Sequence, residues 1–112
     1  MATSRSSRAA DALARDLFLG CVKIHILHNA DGKGAFGAQL MEDLARMGYE
    51  VGPGTIYPTL HKLHQARLLR VQSRNVDGRI RKYYFLTPSG KRMLKDVKGR
   101  IRVLVREVLH NR

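Results

Sequence analysis

Asp77-Gly78 constrains this chain more than any other pair of residues. Both tolerate the positive φ angles of a tight hairpin turn, and strand-like sequence lies on either side: L-L-R-V-Q-S-R at 68–74 and R-I-R-K-Y-Y-F-L at 79–86. The aromatics of the second run favour a strand over a helix. Everything else follows a helical period. A first helix over 11–29 carries Leu13, Leu17, Ile24 and Leu27, with Phe18, Val22 and Ile26 alongside, and ends at Asn29, Asp31, Gly32 and Gly34. A second, about 35–47, presents Phe36, Leu40 and Leu44, with Gly48 just past its end in the left-handed position. A third, about 54–66, presents Ile56, Leu60 and Leu63. Thr87-Pro88 reads as the cap and first residue of a last helix to about 110. The order predicts a mainly α protein with a small β-hairpin: a winged helix-turn-helix domain over 11–87, preceded by a frayed tail at 1–10 and followed by a C-terminal dimerisation helix over 88–112.

Charge points to the partner. Residues 1–61 hold six basic and six acidic residues, whereas 62–112 hold fifteen basic and three acidic, so the whole net charge of +12 lies in the second half. Such asymmetry suits a polyanion, nucleic acid before an anionic membrane surface; the alternative is a solubilising surface. No apolar run approaches the roughly 20 residues that span a bilayer. The polar N-terminus lacks the apolar core of a secretory signal, and one cysteine in 112 residues excludes an intrachain disulfide framework. The expected location is the cytoplasm, at the nucleoid.

The stretch V-G-P-G-T-I-Y-P-T-L-H-K-L at 51–63 spends two prolines and two glycines at the entrance to the third helix. In a helix-turn-helix this entrance faces the bases of the major groove, and its free N–H groups and positive dipole end suit phosphate. Gly52 and Gly54 allow close approach of the backbone. Thr55 can cap the helix or bond a phosphate. Tyr57 lies opposite the Ile56, Leu60, Leu63 stripe, and His61 and Lys62 continue its surface. Pro58 costs little if the helix starts at Gly54 or Thr55; from a start at Pro53 it removes a ladder bond. Arg74, Arg79, Arg81 and Lys82 on the hairpin suit phosphates or the minor groove. The alternative for these charges is a solvated edge that resists aggregation.

P-G-T-I-Y-P-T-L-H-K-L, then L-L, then D-G-R-I-R-K-Y-Y-F-L-T-P-S-G, resembles the PadR-like winged-helix transcriptional regulators over roughly 17–95, and G-A-Q-L-M-E-D-L fits as well. The resemblance is to the compact form without a large C-terminal domain. It implies a prokaryotic homodimer on a palindromic double-stranded DNA operator, usually a repressor, with Tyr57 carried to the DNA, Lys62, Arg79, Arg81 and Lys82 on phosphates, and the terminal helices forming the dimer. The sequence departs from the family at Ala66-Arg67, where a glycine often makes the turn.

The last helix carries Leu94, Val97, Ile101, Leu104 and Val108 at 3-4-3-4 spacing, the seam of a helix pair. With Leu17 and Ile24 of the first helix these are the expected dimerisation residues. Cys21, His25 and His28 share one helical face. They could begin a metal site completed by His61, His64 or His110, serve structural roles, or belong to a small-molecule effector pocket between the first and last helices. No cofactor is expected. No P-loop, H-E-x-x-H or G-x-S-x-G motif occurs, which argues against an enzyme. The competing classes are a non-specific nucleic-acid-binding protein and a winged-helix adaptor for an acidic protein.

Overall fold

The computed structural model describes residues 5–110, with side chains from Ser7. Four α-helices and one hairpin follow in the order α1 (Arg5–Asn29), α2 (Gly37–Arg46), α3 (Pro53–Gln65), β1 (Leu69–Val76), β2 (Arg79–Leu86) and α4 (Pro88–Leu104), with a π-helical segment, Val105–His110, continuing α4. This is the winged helix-turn-helix with a long C-terminal helix.

The core forms where the apolar stripes meet. Val22 and Ile26 of α1, Leu40 and Leu44 of α2, and Ile56 and Leu60 of α3 are wholly buried, with Leu69, Tyr84 and Leu86 at the base of the hairpin and Leu94 of α4 closing the cluster. Leu94 was expected at the dimer seam. It is instead spent on its own domain, because the first turns of α4 lie against α1 and β2.

β1 and β2 pair antiparallel from Leu69↔Leu86 to Val76↔Arg79. Asp77 (φ 53°) and Gly78 (φ 81°) make the turn, and the Asn75 side chain accepts the Gly78 amide at 3.0 Å. Ala35 bridges Tyr84 through two backbone hydrogen bonds of 2.9 and 2.7 Å, fixing the entry to α2 against the wing. Residue 35 is therefore extended, and α2 starts two residues later than its apolar spacing suggests.

Two further departures have local causes. Residues 5–10 are helical rather than a tail: R-S-S-R-A-A contains no glycine or proline, and its alanines and arginines favour helix; residues 1–4 lie outside the described residues. At the corner between α3 and β1, where the resemblance leads one to expect a glycine, Arg67 takes the left-handed conformation itself (φ 63°). The Leu68 amide returns to the Leu63 carbonyl at 3.0 Å, closing the helix end.

Candidate nucleic-acid interface

α3 begins at Pro53 as its first helical residue, with Gly52 as N-cap. Pro58 therefore lies inside the helix, at the cost of one ladder bond. Thr55 is not the cap. It sits in the first turn, where its carbonyl accepts the Thr59 hydroxyl at 2.7 Å. Gly54 is exposed beside it. Tyr57 is 47% exposed, and its ring lies across Gly37 at the start of α2. A Cβ on Gly37 would overlap that ring, so the glycine fixes how the tyrosine stands.

Between the start of α2, the outer side of α3 and the wing runs a cleft of about 600 Å³. Phe36, Gly37, Tyr57, His61, Ile80 and Tyr84 line it, together with Arg79, Arg81 and Lys82. One wall is thus helix and the other basic wing. Burial raises the Tyr84 phenol above its usual value of 10.0, with repulsion from Tyr57 adding to it. The Arg81 guanidinium sits 4.1 Å from the centre of the Phe36 ring, and that ring meets Tyr83 edge-on at 5.3 Å. Stacking leaves the N–H edges of Arg81 able to bond an anion.

Of the residues expected on DNA, the fold brings Tyr57, His61, Arg79, Arg81 and Lys82 into one cleft. Gly54, Thr55 and Lys62 belong to α3 but do not line it, and Arg74, the cross-strand partner of Arg81, lies over Tyr83 at 4.6 Å outside it. Phe36, Gly37 and Ile80 were not anticipated. The signal for Ile80 lay in R-I-R-K: it alternates with arginines and is 71% exposed.

Of the Cys21, His25, His28 trio, the first two adjoin Tyr49 and the third does not. The Cys21 thiol hydrogen-bonds the Tyr49 hydroxyl, the first cause of that phenol's raised pKa, ahead of burial. The His25 ring lies 5.1 Å from the Tyr49 ring. His28 is exposed. Among the described residues no three His, Cys, Asp or Glu side chains are grouped to hold a metal ion.

The sequence pattern of the Transcriptional regulator PadR-like family matches residues 26–96, more than half of the chain. The chain belongs to this family. The Transcriptional regulator Rv3488 of Mycobacterium tuberculosis is 44% identical over 95 residues, covering 85% of this chain and 89% of that protein. A PadR family transcriptional regulator from Eggerthella lenta superposes with a TM-score of 0.73 at 27% identity, over 92% of this chain and 91% of the other. A PadR-like transcription factor from Bacteroides fragilis reaches a TM-score of 0.77 over 90% and 99% of the two chains; at 24% identity that is a likeness of fold. The family is one of transcriptional regulators. Among the described residues no helix is long and apolar enough to cross a membrane.

Proposed function

We propose that this PadR-like protein is a ligand-responsive repressor that binds a palindromic operator as a homodimer, at the nucleoid in the cytoplasm. The observation that carries the reading is the cleft, in which Tyr57 and His61 of α3 face Arg79, Arg81 and Lys82 of the wing. A recognition helix in the major groove reads bases, while a basic wing beside it takes phosphates. Exposed apolar residues support the dimer: Leu13 and Leu17 on α1, and Ile101, Leu104, Val108 and Leu109 on α4 and its π-helical continuation. Two copies would set two recognition helices about one DNA turn apart.

A footprint on promoter DNA upstream of the protein's own gene, with random duplex as competitor, tests this. The expected result is a two-fold symmetric protected site that survives competitor and is weakened at least about tenfold by Tyr57→Ala. Protection that random duplex removes completely would assign the protein to non-specific binding instead. The same footprint, repeated with candidate effectors, reads ligand response.

A further inference from the structure

Side-chain alternation gives the wing two faces. Leu69, Val71, Tyr84 and Leu86 point into the core, and Ile80 and Lys82 on the same face line the cleft. The other face carries Arg70, Gln72 and Arg74 of β1 opposite Phe85, Tyr83 and Arg81 of β2. Here the arginines lie over the rings: Arg70 is 4.4 Å from the centre of Phe85, and Arg74 is 4.6 Å from Tyr83 and 5.5 Å from Phe85. Phe85 is buried beneath them, with Gly34 closing in from the other side.

Within the two strands this face is charged without compensation. Arg74 and Arg81 are direct cross-strand partners, a like-charge pairing that a sheet disfavours. Neither strand contains an acid, and among the described residues no ion pair involves Arg70, Arg74, Arg79 or Arg81. At the base of the hairpin Arg70 shares a concavity of about 190 Å³ with Lys91 of α4 and with Asp31, which pairs with Lys91 at 4.0 Å, so the basic surface of the wing ends there beside an ion pair. Neither Arg70 nor Arg74 lines the cleft. A minor groove is about 7.5 Å deep and a strand rises about 3.3 Å per residue, so a groove takes in only the last two or three residues of a wing. Arg70, six residues back from Val76, stands roughly 20 Å from that tip, whereas Arg74, two residues back, lies at the limit of such a groove.

We propose that the part of this outer face around Arg70 and Arg74, beyond Arg81 and the cleft, is a second phosphate-binding surface, and that it holds the backbone of a duplex other than the one in the cleft. The inference rests on the cleft being the reading site for the first duplex. Duplex backbone fits better than single strands, because the ring faces on which bases would stack are covered by guanidinium groups. It fits better than an acidic protein, whose interface would need an open apolar centre; here the largest apolar side chain, Phe85, is already buried.

The test immobilises a random-sequence duplex on beads, adds the full chain and then a fluorescent duplex, and measures the fluorescence retained. Wild type should retain it. Arg70→Gln with Arg74→Gln should lower retention about tenfold while changing single-duplex affinity less than about threefold. Arg70→Gln alone, which keeps Arg74 over its rings, should move retention in the same direction, and Arg70→Lys with Arg74→Lys should restore most of it. Retention unchanged in the glutamine variants would overturn the proposal. So would a parallel loss of single-duplex affinity, which would place both arginines on the first duplex. Retention lost in Tyr57→Ala but not in the glutamine variants would assign bridging to two reading heads of a dimer, also overturning it. Preference of wild type for poly-glutamate over duplex, abolished by the glutamine variants, would assign the face to a protein partner. Failure of the cleft reading would appear separately, as an operator footprint indifferent to Tyr57→Ala.

Discussion

The Thr87 hydroxyl donates to the Arg67 carbonyl at 2.6 Å and accepts the Gly90 amide at 2.9 Å, while the Thr87 amide donates to the Leu68 carbonyl at 3.1 Å. Gly90 is buried in the first turn of α4, where an added Cβ would overlap that same Leu68 carbonyl oxygen. Backbone on both sides cannot give way. Gly90→Ala should therefore destabilise the fold by about 1–3 kcal/mol in denaturant unfolding, although alanine is the better helix former. A second residue-scale expectation concerns Tyr84. Its phenol is raised above 10.0 in the folded chain, so the neutral form is favoured by folding. That contribution is complete below pH 10 and is lost as pH rises through the folded value. Melting temperatures should fall steeply above about pH 10, and Tyr84→Phe should flatten the fall; an unchanged profile would count against burial as the cause. Thr87 as cap was legible in T-P-S-G. Gly90 and Gly37 were not, because a glycine required by a neighbour's carbonyl or ring looks in sequence like any other.

At the scale of elements, the hairpin was the most legible part, since Asp77-Gly78 fixes both turn and register, and β2 runs over 79–86 as expected. β1 runs two residues past its expected end, because register with β2 carries pairing up to the turn. What sequence could not sort was the wing's charge. Alternation does not decide it, because Arg79 and Lys82 lie on opposite faces of the hairpin near its tip. Arg79 and Lys82 reach the cleft, whereas Arg74 does not. Replacing Arg79 and Lys82 together by glutamine should lower the salt slope of duplex binding by about 2, near 0.9 for each lost phosphate contact. Titration of binding against salt measures it; an unchanged slope would remove both from the phosphates. The end of α4 held another surprise: a π-helical segment has a longer turn, so from Val105 the 3-4 spacing no longer describes which side chains share a face.

For the whole molecule, the apolar surface is distributed unequally. The seam read from sequence divides at Leu94, which is buried, whereas Ile101, Leu104 and Val108 are exposed, Leu104 by 54%. Leu17 is exposed on α1 in the same way, and Ile24 is partly buried against the core. Leu104→Glu should accordingly yield a folded monomer in sedimentation, its unfolding midpoint lowered only by the loss of dimerisation, since the side chain is exposed within its own chain. A dimer that persists would put the interface elsewhere.

The join at Thr87 and Gly90 has a consequence for how such a regulator could be switched. The first turn of α4 is stitched to the corner that ends α3, so the handle and the reading head behave as one leg of a pair of compasses. If two legs meet along their distal helices, the gap between the points is set where they cross and not by flexing of either leg. A signal that releases the operator would then have to turn that crossing.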